Sequence, residues 1–111
     1  MIARVAYFEG LTQQQKMVQE DNANRRFKAA ITSQPGIVAV LFMERPNGDR
    51  VSFSVWESKE AMEEGGARAH ATPLLPNQRG EDIPSANRFE IWEVRDHFFA
   101  PQAAASRAEG G

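Results

Sequence analysis

The most constraining feature of the sequence is an apolar hairpin near its middle. Residues 37–44 read Ile-Val-Ala-Val-Leu-Phe-Met-Glu, an unbroken apolar run of strand length rather than an alternating one. The Asn47-Gly48 pair then supplies a tight turn, and residues 50–56 resume as a second strand. An unbroken apolar strand is typical of one buried on both faces. The sequence therefore predicts two antiparallel strands in a sheet that is covered on both sides.

The remaining segments complete a strand-helix-strand-strand-helix-strand order. A Thr12/Gln15 capping box opens the first helix, and Ser58 caps the second, which the Gly65-Gly66 pair is expected to shorten or kink. This order predicts an α+β, ferredoxin-like βαββαβ fold with a four-stranded antiparallel sheet. The predicted elements are strands over 2–8, 37–44, 50–56 and 88–95, and helices over 12–34 and from 58 onwards.

The inner face of the first helix carries polar residues among apolar ones. At helical spacing it reads Met17, Glu20, Asn24, Phe27 and Ile31. Either the helix bends or frays within 21–24, or its polar groups face a cavity, and the sequence leaves both interpretations open.

Two segments lie outside these elements. The loop over 72–87 holds three prolines and is long for a compact domain, which indicates a candidate lid. We expect one domain over 1–98 and a disordered tail over 99–111, because the tail has little apolar surface to bury.

Composition removes several classes of function. The chain has 111 residues, 13 Lys and Arg against 15 Asp and Glu, and no cysteine. Interspersed charges disfavour a nucleic-acid partner, and the lack of cysteine excludes disulfides and thiol chemistry. The sequence shows no metal-ligand spacing and no phosphate-binding loop, so no metal and no cofactor are expected.

No apolar run approaches membrane-spanning length, and we expect a soluble, cytoplasmic protein without a membrane partner.

Two helices cover one face of such a sheet, and here the other face is apolar too. Because monomers rarely expose so large an apolar patch, the sequence predicts a homodimer through the sheet faces.

The residues of 55–62, Val-Trp-Glu-Ser-Lys-Glu-Ala-Met, resemble a signature of the antibiotic biosynthesis monooxygenase superfamily of dimeric α/β barrels. The exit of the first helix at 34–36 and the closing strand over 88–94 are similar to the same family, so the resemblance covers about 2–97. It implies a family that includes cofactor-free oxygenases of aromatic polyketides, quinone-directed oxygenases and haem-degrading enzymes.

The haem-degrading branch of this family has an Asn on the first strand and a Trp in the second helix. Here the first strand has no Asn and the Trp position falls near Gly65, which disfavours haem chemistry.

His70 is the candidate catalytic base, because it follows Met62 by two helical turns and titrates near neutral pH. The alternative is that His70 simply lies at the frayed end of the second helix.

Other polar residues are weaker candidates. His97 is expected to help dock the tail rather than to act in catalysis. Solvated surface charges are expected at four arginines, rather than anion recognition: Arg45, Arg50, Arg88 and Arg95. The candidate substrate-binding residues are Tyr7, Asn24, Phe27, Phe53, Trp56 and Trp92.

The resemblance to this superfamily, with His70 as the candidate base, implies a cofactor-independent, monooxygenase-like enzyme that acts on an aromatic polyketide or quinol-type small molecule. The alternative is a non-catalytic dimeric protein that binds an apolar or aromatic small molecule or serves as an accessory protein.

Overall fold

The computed structural model describes residues 1–101 and shows an α+β fold of the ferredoxin-like kind. The greater part of the expected disordered tail, 102–111, lies outside the described residues. In chain order the elements are β1 (Ile2–Phe8), α1 (Gln13–Asn22), a π-helical segment (Ala23–Phe27), α2 (Lys28–Thr32), β2 (Ile37–Glu44), β3 (Arg50–Trp56), α3 (Lys59–His70), a 3₁₀ turn (Gly80–Asp82) and β4 (Arg88–Glu93).

The four strands form one antiparallel sheet in the order β2-β3-β1-β4. The predicted hairpin joins β2 to β3, with Gly48 in the left-handed region at φ +93°. β1 occupies an inner position, where Val5 faces Phe53 on one neighbour and Glu90 on the other. Apart from an irregularity between Ile37 and Ala39 in β2, alternate residues of the strands therefore point to a helix-covered face and to an open face.

The core lies between the sheet and the helices α2 and α3. Trp56, only 1% exposed, packs with Ile31, Met62 and Ala69 at its centre. The indole N–H of Trp56 donates to Ser54 Oγ at 3.0 Å, so its buried polar atom is satisfied. This end of the sheet is closed by apolar packing.

The first helix has its predicted capping box, but its inner face differs from the prediction. Met17 is 58% exposed, and Asn22 rather than Asn24 is buried. The cause is the π-helical segment, in which the Lys28 N–H donates to Ala23 O, one residue further back than in an α-helix. The extra residue rotates the preceding turns, so a stripe drawn at constant α-helical spacing fails there.

The second helix is neither short nor kinked, which corrects the expectation from the Gly65-Gly66 pair. Helix α3 runs without interruption from Lys59 to His70. A Cβ at Gly65 would overlap the six-membered ring of Trp56, so glycine allows the helix to lie close against the indole. Close packing here outweighs the low helix propensity of glycine.

Strand β2 is an edge strand, and in the single chain its second half is exposed on both faces. Leu41 and Phe42 are each 47% exposed and point to opposite sides of the sheet. Among residues 1–101, no helix is long and apolar enough to cross a membrane.

Candidate functional site

An open cavity of about 920 Å³ lies between the helix-covered face of the sheet and the first helical region. It exists because α2 and α3 pack directly on the sheet, whereas α1 stands off from the strands. Its size is that of a small-molecule site. The floor is formed by side chains from all four strands, namely Arg4, Ala6, Phe42, Ser52, Ser54 and Phe89.

The π-helical segment forms the roof over the cavity. It places Asn22 and Arg26 on one side of the helix, where Arg26 Nη1 donates to Asn22 Oδ1 at 3.1 Å. Phe27 follows and turns its ring into the same space. Interruptions of this kind are frequent at functional sites, and here the interruption presents polar and aromatic groups together.

A network of charges closes one end of the cavity. Arg50 donates to Glu44 Oε1 at 2.8 Å and to Glu20 Oε1 at 2.6 Å, and also to Gln19 Oε1 at 3.2 Å. The hydrogen bond from Arg50 holds the pKa of Glu44 below its usual value. This network ties α1 to the ends of β2 and β3, so the charge of Arg50 is already matched within the protein.

The opposite end is closed by Arg26 and the loop after α3. The Arg26 guanidinium donates to the backbone carbonyls of His70 at 3.1 Å and of Pro73 at 3.3 Å, and also to that of Thr72. Gln78 Nε2 donates to Asn22 Oδ1 at 3.4 Å from further along the loop. Arg26 therefore fixes the start of the candidate lid to the roof of the cavity.

His70, the last residue of α3, lines this end of the cavity. Its ring lies against Phe27, with centroids 5.0 Å apart and tilted by 39°. The side chain of His70 is still partly exposed, but the partial burial of its imidazole lowers the pKa of His70, and the positive charges of Arg4 and Arg26 lower it further. The lowered pKa favours the neutral imidazole, the form that is able to accept a proton.

A second, smaller cavity of about 310 Å³ adjoins the first. Arg4, Ile31, Ser54 and His70 line both, so these four residues form the boundary between the two spaces. Beyond it lie residues of α3 and the core, including Trp56 and Met62.

The structure places the sequence-predicted site residues in three locations. His70, Asn24 and Phe27 line the large cavity, although Asn24 is exposed at its rim. Trp56 is buried in the core and touches only the smaller cavity. The other three, Tyr7, Phe53 and Trp92, lie on the open face of the sheet.

Tyr7 has a partner on that open face, because its hydroxyl donates to Glu90 and this hydrogen bond raises the pKa of Tyr7. Sequence reasoning missed several polar residues of the cavity, among them Arg4, Asn22 and Arg26. Within residues 1–101, no group of three His, Asp or Glu side chains could hold a metal ion.

No protein-family model and no curated protein sequence matches the chain. Solved structures do match. The monooxygenase from the ActVA-Orf6 gene of Streptomyces coelicolor, in complex with nanaomycin D, is 15% identical, with a TM-score of 0.63 over 89% of this chain and 91% of that one. SnoaB, a cofactor-independent oxygenase from Streptomyces nogalater, is 14% identical in a mutant form, with a TM-score of 0.58 over 86% and 94%.

The chain has the fold of the antibiotic biosynthesis monooxygenases. The same fold occurs in the heme-degrading protein Rv3592 from Mycobacterium tuberculosis, which is 14% identical, with a TM-score of 0.57 over 88% of this chain and 98% of that one. The antibiotic biosynthesis monooxygenase fold thus hosts two chemistries among these neighbours, and a likeness of fold alone assigns neither of them to this chain.

Proposed function

We propose that the chain is a cofactor-independent, monooxygenase-like enzyme that oxidises an aromatic polyketide or quinol-type small molecule in the large cavity. The observation that carries this proposal is the position of His70, whose ring packs on Phe27 at the edge of a cavity with aromatic walls. Phe27 on the roof and Phe42 and Phe89 on the floor provide apolar surface against which a flat substrate can pack. The cofactor-independent oxygenase SnoaB, of the same fold, supports the assignment.

In this mechanism His70 removes a proton from an activated ring carbon, and the substrate becomes an electron-rich anion. The anion reacts with dioxygen and takes the proton back from His70 to form a hydroperoxide, which loses water. A ring CH₂ and O₂ thus give a ring C=O and H₂O, so the substrate supplies all the electrons. The protein contributes the base and the position of the ring.

Haem chemistry fits this chain poorly. The resemblance to the haem-degrading branch would place a Trp near Gly65, yet a Cβ at Gly65 would already overlap the ring of Trp56. No larger side chain fits there while Trp56 keeps its place. Haem therefore has no part in the proposed reaction.

Oxygen uptake with an anthrone and with a naphthoquinol tests the proposal, after the uncatalysed oxidation rate is subtracted. His70→Gln should lower kcat at least about 10²-fold, because a positioned base contributes roughly that much. His97→Gln is the matched control, since His97 is exposed and does not line the cavity. Full turnover by His70→Gln would rule out His70 as the base.

The alternative is a non-catalytic protein that binds an aromatic molecule in the same cavity. It would be indicated by tight binding of these compounds with no oxygen uptake above the uncatalysed rate.

We also propose that two chains form a homodimer through the open faces of their sheets. The apolar residues of that face include Leu41, Met43, Phe53 and Trp92, and three of them, Leu41, Met43 and Trp92, are about half exposed in the single chain. An apolar face of this extent is typical of an interface.

A further inference from the structure

Arg4 is a positive charge in an unusual place, on the floor of the cavity. It lies in the middle of β1, an inner strand, between Ser54 on β3 and Ile91 on β4. Its side chain is half-buried and lines both cavities. Burial lowers the pKa of Arg4, but a guanidinium remains protonated at neutral pH. The floor therefore carries a fixed charge.

The charge of Arg4 has no anionic partner within the described residues. Its guanidinium carbon lies 4.1 Å from the centroid of the Phe89 ring, and among residues 1–101 it makes neither an ion pair nor a hydrogen bond from its side chain. The other cations that line the cavity do have acceptors: Arg50 has two carboxylates, Arg26 has three carbonyls, and Lys28 has Asn24 Oδ1 at 2.7 Å. A half-buried, unmatched charge is costly, and a ligand anion would remove that cost.

We propose that Arg4 binds a carboxylate of the substrate, so that the substrate class is an aromatic carboxylic acid; this rests on the proposed function of the same cavity. The planar guanidinium matches a carboxylate through two parallel hydrogen bonds. Ser54 lies beside Arg4 on β3, and its hydroxyl, which accepts from Trp56, still has its proton to donate to a ligand oxygen. Phe42 and Phe89 flank this position and receive the ring.

Binding of two oxidised ring compounds tests this assignment without turnover. Anthraquinone-2-carboxylate and anthraquinone-2-carboxamide have the same shape and differ in charge, and calorimetry gives their Kd values. We expect the carboxylate to bind about tenfold more tightly or better, because a hydrogen bond to a charged group is stronger than one between neutral groups. Arg4→Gln should abolish this preference, and Arg4→Lys should restore part of it. Arg45→Gln is the control, because Arg45 is exposed and lies outside the cavity.

Equal affinity for the two compounds in the unmodified protein, or a carboxylate preference that survives in Arg4→Gln, would overturn the proposal. So would the absence of binding by both. The preference should also decrease as salt increases, a measurement on the unmodified protein that does not depend on how Arg4→Gln folds. A carboxylate preference without oxygen uptake would uphold the Arg4 site and overturn the oxygenase, so the two failures are distinguishable.

Discussion

At the scale of single residues, the chemistry of the cavity depends on the surroundings of His70. Its ring contacts Phe27, Arg4 approaches from the floor and Arg26 from the roof, and Glu63 lines the smaller cavity that the ring also borders. Burial and the two arginines favour the uncharged imidazole. A base of this kind is active above its lowered pKa and is lost when acid protonates it.

The pKa of His70 should rise when the charge of Arg4 is removed. In Arg4→Gln one of the two positive charges is gone while the burial remains, so we expect a value closer to, but still below, that of an unperturbed histidine. The acid limb of oxygen uptake should then move to higher pH, because more of His70 is protonated at a given acid pH. Titration of the histidine ring protons by NMR measures the shift, with His97 as the internal reference. An unchanged His70 titration would contradict this account of its environment.

Single residues also show where sequence reasoning ends. Arg4 could have been found, because it is the one charged residue in an otherwise uncharged first strand. Asn22 could not, since the shift from Asn24 depends on the π-helical segment, for which we know no local sequence signal. The placement of Tyr7 and Trp92 on the open face follows from strand parity, which the sequence leaves undetermined when both faces are apolar.

At the scale of elements, Arg26 couples the first helix to the loop after α3. Its guanidinium donates to three backbone oxygens at the start of the loop, those of His70, Thr72 and Pro73. The loop therefore leaves α3 in one direction and covers the end of the cavity. Because residues 71–79 make few other long-range hydrogen bonds, we expect Arg26 to determine how readily this part of the loop opens.

Arg26→Gln should loosen the loop and leave the sheet intact. Hydrogen exchange measured by mass spectrometry should become faster over 71–79, whereas the 50–56 strand should be unchanged. The loss of several charge-assisted hydrogen bonds should lower the free energy of unfolding by about 2 kcal/mol. Arg25→Gln is the matched control, since the neighbouring Arg25 hydrogen-bonds only the exposed Asp21 among the described residues. Equal exchange in the two variants would show that Arg26 does not hold the loop.

The elements themselves were largely predictable, and the exceptions have a tertiary cause. Apolar runs and turn residues predict where β1, β2 and β3 begin and end, and the three strands of the structure have these bounds. The continuity of α3 was not predictable, because it depends on Trp56 lying where the Gly65 side chain would otherwise be. Local propensity cannot report a contact between residues that are distant in the chain.

At the scale of the whole molecule, the open face of the sheet remains to be covered. The antiparallel sheet has helices on one side only, and its other side carries apolar side chains from β2, β3 and β4. The sequence predicted this second apolar face from the unbroken run over 37–44. A second copy of the same face is the simplest cover, since a two-fold axis brings identical patches together.

Two neighbouring residues of β2 allow this dimer to be tested with a matched pair of variants. Leu41 and Phe42 are equally exposed at 47%, but Leu41 lies on the open face and Phe42 on the floor of the cavity. We expect light scattering at micromolar concentration to give the mass of two chains for the unmodified protein and for Phe42→Glu. Leu41→Glu should give the mass of one chain, because dimerisation would bury its charge without a partner. Since both substitutions put the same charge on the same strand at the same exposure, a difference in mass can come only from the face that each one occupies. A single-chain mass for all three proteins would instead mean that the open face is not a dimer interface.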